Sequence, residues 1–209
     1  MPHTAELIAV GTELLLGSIV NSDAQMISRE LSALGINVFS HTVVGDNPRR
    51  LESVVNTARG RADIIITTGG LGPTCDDLTK QTLAYCFGKE LVFDRHSMDR
   101  IVAYFQQIKG RKLTDNNRQQ AYLPEGCTIF DNDWGTAPGC AFEAGGTHVI
   151  MLPGPPSECI PMFKNCAVPY LKSLSEGAIV SRSLRLFGTG ESMVESLLRE
   201  KMNAMTNPT

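Results

Sequence analysis

The sequence has 209 residues, of which 42% are hydrophobic and 20% charged, and its formal net charge is −3. These values exclude disordered and fibrous proteins and leave room for one well-buried domain with a small appendage. The lack of a basic run argues against a nucleic-acid partner, and no apolar run approaches the roughly 18 residues that span a bilayer. With no secretory signal and no CxxC pair among its cysteines, the chain is expected to be cytoplasmic, with no membrane partner.

The first half of the chain alternates short apolar runs with helical patterns. One helix is expected over 22–34, with Ser22 and Gln25 spaced as a capping box and Gly35 as its stop. A second helix begins at Asn47-Pro48. The predicted strands are 5–10, 36–44 and 63–68, the last being a β-branched run typical of a strand buried on both faces. This order predicts an α/β fold with a mostly parallel sheet flanked by helices.

The second half is less regular. A helix with a kink or restart at Pro161 is expected after Pro155-Pro156, and Gly145-Gly146 joins two of the predicted strands. Near Gly177 the character changes to a strand over 179–187 and an amphipathic helix over 191–202, which cannot bury a core of their own. The other predicted elements are helices at 78–87, 97–109 and 116–122 and strands at 128–130, 140–143 and 147–152.

The first candidate binding loop, GTELLLG, follows the first strand. In a parallel sheet, ligands bind beyond the carboxyl ends of the strands. Gly11 would allow close approach of the backbone, Thr12 offers a hydroxyl, and Glu13 offers a carboxylate to a metal or a sugar hydroxyl. An ordinary strand-to-helix turn with a solvated Glu13 explains the same residues.

The second loop, TTGGLGPTCDD at 67–77, carries the stronger signal. Its glycines expose successive backbone N–H groups that can hold an anion. Asp76 and Asp77 are hard oxygen ligands of the kind that Mg²⁺ prefers. Alternatively, Asp76 caps the following helix and Asp77 complements its dipole. The nearest basic residue is Lys80, so phosphate charge would be met by backbone dipoles and a metal.

A third loop, LPGPPSE at 152–158, combines rigid prolines with Gly154, and weaker polar spots occur at Asn132, in 135–139 and around Asn117. The ordered motifs GTELLLG, TTGGLGPTxDD, NxxQA, GTAPG and LPGPPxE resemble those of the competence/damage-inducible protein A (CinA) family. The resemblance covers the N-terminal domain of that family, which has the three-layer molybdopterin-binding (MoaB/Mog-like) fold. It implies such a domain over residues 1–172 and the incomplete start of a small KH-like α+β domain over 178–209. The deamidase activity of the amidohydrolase domain of long members is not expected here.

The resemblance also implies a function. It is metal-dependent hydrolysis of the pyrophosphate of ADP-ribose or a similar nucleoside-diphosphate sugar, by a homo-oligomer. Glu13, Asp76 and Asp77 would be catalytic, with Asp76 and Asp77 also holding a divalent ion such as Mg²⁺. The nucleotide or pterin ligand would be contacted by Gly11, Thr12, Thr68, Gly69, Gly70, Leu71, Gly72, Thr74, Asn117, Pro153, Gly154 and Pro155.

Two other functions are compatible with the same pocket. One is a molybdopterin-binding, adenylyltransferase-like protein of molybdenum cofactor biosynthesis. The other is a non-catalytic nucleotide-binding module, whose fold persists without turnover.

Overall fold

A computed structural model describes residues 3–108, 112–174 and 185–205. The chain divides into two compact units, residues 1–179 and 180–209. The larger unit contains both sheets and all but one of the described helices. No helix in the described ranges is long and apolar enough to cross a membrane.

A six-stranded sheet forms the centre of the larger unit, with strand order β2-β1-β3-β8-β7-β6. The first four strands in this order are parallel, and β7 and β6 continue the sheet in antiparallel pairings. A separate two-stranded sheet pairs β4 with β5. The strands are β1 (Thr4–Val10), β2 (Asn37–Val44), β3 (Ile64–Thr68), β4 (Leu91–Phe93), β5 (Tyr122–Pro124), β6 (Thr128–Phe130), β7 (Gly139–Ala144) and β8 (Thr147–Leu152).

Helices cover both faces of the central sheet, which confirms the predicted α/β class. They are α1 (Thr12–Leu15), α2 (Ser22–Ala33), α3 (Pro48–Arg59), α4 (Thr79–Cys86), α5 (Arg95–Gln107), a 3₁₀ helix (Asp115–Ala121), α6 (Pro156–Met162), a π-helical turn (Phe163–Ala167) and α7 (Val168–Lys172). The smaller unit contributes α8 (Glu191–Ala204).

The core lies in two layers, one on each face of the sheet. Ile64 and Ile66 of β3 point into the layer that contains residues of α2 and α6, whereas Ile65 points into the layer that contains residues of α3 and α4. All three isoleucines are fully buried. Because each such side chain contributes roughly 1.5–3 kcal/mol on burial, β3 anchors the strand ends from which the loops at one edge emerge.

Several predicted element boundaries need correction. The capping box at Ser22 and Gln25 is wrong: Asn21 caps α2, its side chain accepting a hydrogen bond from the N–H of Ala24. Helix α5 begins two residues earlier than expected because Asp94 caps it. The break near Pro161 falls just after Met162, in the π-helical turn.

The predictions for the end of the chain are tested only in part. The helix over 191–202 is confirmed as α8. The strand over 179–187 lies mostly outside the described residues, and 185–187 have no regular structure. The proposed KH-like domain therefore stays a prediction.

Candidate functional site

The three predicted loops meet at the carboxyl ends of the parallel strands. The N–H of Gly11, directly after β1, donates to the carbonyl of Val44 at the end of β2, at 2.9 Å. The N–H of Gly69, directly after β3, donates to the carbonyl of Leu152 at the end of β8, at 3.0 Å. These two bonds tie the strand ends together, and the loops that follow them enclose one cavity.

This main cavity has a volume of about 600 Å³. Most of the predicted site residues line it, on all three loops. They are Gly11, Glu13, Gly69, Gly70, Leu71, Gly72, Thr74, Asp76, Asp77, Pro153, Gly154 and Pro155. The structure thus brings together residues that are more than 140 positions apart in the sequence, although their individual roles stay predictions.

The glycines of the second loop are required by their surroundings. Gly69 and Gly70 have φ angles of +93° and +69°, where a side chain is strained. A Cβ at Gly69 would lie 2.1 Å from the carbonyl oxygen of Val10, and one at Gly70 would lie 2.1 Å from Oγ1 of Thr79. That threonine hydroxyl donates to the carbonyl of Gly69 at 2.9 Å. The loop is therefore packed against β1 and against the start of α4.

The same loop offers free hydrogen-bond donors to the cavity. The N–H groups of Gly70, Leu71 and Gly72 donate to no acceptor in the part of the chain that the structure describes. All three residues line the cavity. Successive unpaired backbone N–H groups form the kind of nest that binds an anion.

The two aspartates of this loop have different surroundings. Oδ2 of Asp77 accepts hydrogen bonds from the N–H of Thr74 at 2.8 Å and from its hydroxyl at 2.7 Å, which closes the loop. Asp76 is exposed. Neither aspartate caps α4, since that helix starts at Thr79 and has no side-chain cap. The alternative role as a helix cap is therefore wrong.

Thr12, predicted to contact the ligand, instead holds a residue that sequence reasoning missed. Its N–H and hydroxyl donate to Oδ2 of Asp46 at 2.9 and 2.7 Å. Asp46 lines the main cavity, whereas Thr12 does not. The position of Asp46 just after β2, at the same sheet edge as the other loops, is the signal that could have found it.

Asn117 and Thr68 also lie off the main cavity. Asn117 is buried, and its Nδ2 donates to Oε1 of Gln120, whose own amide donates to the hydroxyl of Thr136. Gln120 and Thr136 line the cavity. Asn117 therefore positions a wall residue and is not itself one, and Thr68 faces a smaller neighbouring pocket.

Glu158 contributes a further carboxylate to the cavity wall. In the sequence it was recognised as part of the proline-rich loop but was not predicted as a site residue. Nδ2 of Asn132 donates to its Oε2 at 2.7 Å, and burial raises the pKa of the Glu158 carboxyl above its ordinary value. A Cβ at Gly135 would lie 1.9 Å from the same Oε2. The glycine thus makes room for this carboxylate.

The main cavity is acidic. Glu13, Asp46, Asp76, Asp77 and Glu158 line it, and its described lining includes no lysine, arginine or histidine. No three of the described histidine, cysteine, aspartate and glutamate side chains converge as a set that could hold a metal ion. The protein therefore presents carboxylates around the cavity without a preformed metal cage.

Lys80, the nearest basic residue in the sequence, has a structural role. It is 2% exposed, and its Nζ donates to the carbonyls of Gln119 and Gln120 at 3.0 and 2.8 Å. Burial lowers the pKa of its ammonium to about 8. The side-chain amide of Gln119 in turn donates to the carbonyls of Gly72 and Thr74. Lys80 thus ties the 3₁₀ helix to α4, and that helix holds the glycine loop.

Comparison with known proteins gives consistent matches. A family described as "Probable molybdopterin binding domain" matches residues 6–173. A CinA-like protein from Dictyoglomus turgidum is 51% identical over 204 residues, which cover 98% of this chain and 49% of the relative. The chain thus spans about half the length of the curated relatives it matches.

Two solved structures are similar in fold. The crystal structure of the protein CinA from Thermoplasma acidophilum has a TM-score of 0.72 and 34% identity, covering 78% of this chain and 95% of that one. The tungsten cofactor synthesizing protein MoaB from Pyrococcus furiosus has a TM-score of 0.54 and 17% identity, covering 83% and 95%. The second likeness concerns the fold alone.

The prediction of an ADP-ribose pyrophosphatase-like hydrolase is wrong. The family that matches is described by molybdopterin binding, and the similar structure at 34% identity is named CinA. The roles in hydrolysis that were predicted for Glu13, Asp76 and Asp77 depended on that activity and are dropped with it. All three residues nevertheless line the main cavity.

Proposed function

The chain belongs to the CinA family and carries its molybdopterin-binding domain over residues 6–173, and on that premise we propose that it binds a phosphorylated pterin of the molybdopterin class in the main cavity. The observation that carries this proposal is the row of unpaired N–H groups at Gly70, Leu71 and Gly72 on the cavity wall. A phosphate monoester is the part of such a ligand that these groups would bind.

The size of the cavity supports a ligand of this class. Small-molecule sites typically enclose about 300–1,000 Å³, and the main cavity has about 600 Å³. Leu71, Pro153 and Pro155 supply apolar wall area against which a ring can pack. The N–H groups and carboxylates supply the polar contacts that orient it.

A divalent cation is part of the proposal. Five carboxylates around the cavity repel a phosphate, and the described lining offers no cationic side chain in compensation. Mg²⁺ characteristically binds through one or two carboxylates together with substrate phosphates and water. Asp76, beside the glycine loop and exposed, and the oxygen of Asp77 that does not bind Thr74 fit this donor set. When bound, the ion would supply the positive charge that the wall lacks.

Binding is tested by calorimetry under anaerobic conditions with molybdopterin released from a molybdenum enzyme. We expect saturable binding in Mg²⁺ and binding weaker by about tenfold or more in EDTA, since an unscreened phosphate would face five carboxylates. The matched control is the surface variant Asp99→Asn, which should bind as the wild type does. No binding by the wild type in Mg²⁺ would refute the proposal. Addition of ATP, with a search for adenylylated molybdopterin, separates an adenylyltransferase-like protein from a non-catalytic binding module.

Self-association is also proposed. In the smaller unit Leu197 and Met193 of α8 are 75% and 63% exposed, and one helix cannot bury such side chains alone. Light scattering should therefore give a mass above that of one chain. A clean monomer at micromolar concentration would count against association.

A further inference from the structure

A second, smaller pocket opens beside the main cavity. It has a volume of about 40 Å³ and shares five wall residues with the main cavity. Its own lining adds Thr68 and residues at the start of α2, among them Asp23. The shared wall residues are Val10, Glu13, Ile19, Gly154 and Pro156. Thr68 lines this side pocket, whereas the residues of the proposed phosphate site, Gly70, Leu71 and Gly72, line the main cavity and not the side pocket.

Asp23 is the unusual feature of the side pocket. Only 6% of the residue is exposed, yet its Oδ1 accepts no hydrogen bond from any part of the chain that the structure describes. Burial raises the pKa of the carboxyl to about 6, against a smaller lowering by the nearby Cys159 thiol. A buried polar atom without a partner is costly and rare in folded proteins. Its position on a pocket wall indicates that the missing partner is a ligand.

The chemistry of the carboxylate defines what it can bind. An ionised carboxylate only accepts hydrogen bonds, and its two oxygens match two adjacent N–H donors. A volume of about 40 Å³ admits the edge of a ring but not the ring itself. The described lining contains no lysine, arginine or histidine to pair with Asp23. A ring edge that carries two neighbouring N–H donors meets these conditions.

We propose that Asp23 recognises the 2-amino-4-oxopyrimidine edge of the bound ring, accepting hydrogen bonds from its ring N–H and its 2-amino group. This inference rests on the proposed function and deepens it, since a pterin carries that edge. The ring reaches from the main cavity past Gly154 and Pro156, with its edge in the side pocket. The phosphate at the opposite end remains at the glycine loop. Asp23 thus determines specificity for the ring, and the glycine loop holds the phosphate.

A pair of fluorescent probes tests this assignment. The phosphate monoesters of 6-hydroxymethylpterin and 6-hydroxymethyllumazine share one ring system and differ around position 2. There the amino donor of the pterin is replaced by a carbonyl acceptor in the lumazine, and ring N1 gains a hydrogen. Loss of one hydrogen bond to a charged group corresponds to about tenfold or more in affinity. At pH 7.5 in Mg²⁺, the wild type should bind the pterin at least tenfold more tightly than the lumazine.

The variant Asp23→Asn should reverse or abolish this preference. Its amide offers one acceptor and one donor, which match the N–H and carbonyl of the lumazine edge. The surface variant Asp99→Asn should keep the preference of the wild type, and a denaturant melt of each variant verifies folding. The wild-type comparison alone tests the inference even if Asp23→Asn does not fold.

The possible outcomes separate the two proposals. If the wild type binds neither probe, the proposed function fails. If it binds both probes equally, or if folded Asp23→Asn keeps the preference for the pterin, pterin binding stands and the role of Asp23 is refuted. In that case a buried water is the partner of Asp23.

Discussion

Replacement of Gly69 by alanine tests whether the close approach of the glycine loop to β1 holds the site together. The residue follows β3, and its φ is +93°. A Cβ at this position would lie 2.1 Å from the carbonyl oxygen of Val10, which is backbone and cannot rotate away. Adjacent strands β1 and β3 must therefore separate at their carboxyl ends, or the loop must move into the cavity.

Three contributions set the change in the free energy of unfolding of Gly69→Ala. A non-glycine residue in a left-handed conformation costs roughly 1–2 kcal/mol. Forcing atoms apart by about 1 Å, from 2.1 Å to beyond 3.0 Å, resembles overpacking of a core, which costs about 1–3 kcal/mol. The lower conformational entropy of the unfolded alanine chain offsets about 0.4–1 kcal/mol of this loss of stability. We expect Gly69→Ala to lower the free energy of unfolding by about 3 kcal/mol.

The measurement is urea unfolding followed by circular dichroism, with Gly146→Ala as the matched control. Gly146 has a φ of +78°, and no atom lies within 4 Å of the position its Cβ would take. That variant carries the conformational strain without the contact, so it should lose about 1 kcal/mol. Affinity for the pterin probe should fall in Gly69→Ala alone. Equal losses of stability in the two variants would refute the argument from close packing.

Three further predictions follow from other contacts. The folded-state pKa of Asp23 is raised from 3.8 to about 6, so its contribution to stability falls as pH rises through that interval and is constant above it. Asp23→Asn should remove this fall but also lose the favourable interaction of the carboxylate with the helix dipole, so its free energy of unfolding at pH 7 should exceed that of the wild type by about 2 kcal/mol. Parallel denaturant melts of both proteins at pH 4 and pH 7 test this prediction. Gln119→Ala should cost about 1 kcal/mol and weaken probe binding, because it removes the side-chain hydrogen bonds to the carbonyls of Gly72 and Thr74. Gln106→Ala on the exposed face of α5 should change neither quantity. Asp77→Asn should keep its free energy of unfolding within about 1 kcal/mol of the wild-type value, since an amide oxygen can accept both hydrogen bonds from Thr74. Calorimetry should detect weaker Mg²⁺-dependent binding of the phosphate, and a large loss of stability would make Asp77 a structural residue only.

The sequence by itself determined the architecture and most of the cavity wall. The β-branched run at Ile64–Thr68 and the helical patterns between strands are local signals, because strand and helix periodicities are set by neighbouring residues. In a parallel sheet the carboxyl ends of the strands share one edge. The glycine loops that follow β1, β3 and β8 were therefore expected to come together at that edge, and the structure confirms that all three line one cavity.

The family resemblance led to the correct fold but to a wrong prediction of the function. The ordered motifs led correctly to CinA and to the molybdopterin-binding domain. They also carried an activity, ADP-ribose hydrolysis, that the comparisons do not support. The residues of a cavity fix which groups a ligand can contact, but a shared loop pattern does not fix the reaction, because related sites use one fold for different chemistry.

Only the tertiary structure decided which polar residues line the main cavity and the side pocket. In the sequence Asp23 is an ordinary acidic residue in the first turn of a helix, and Asp46 lies in a loop with no motif. Thr12 and Asn117 look like ligand contacts, yet they hold Asp46 and Gln120 in place. The direction and burial of a side chain depend on elements that are distant in sequence. Asp23 could become a candidate only when α2 packed beside the loop containing Gly154 and left Oδ1 of its carboxylate buried without a partner.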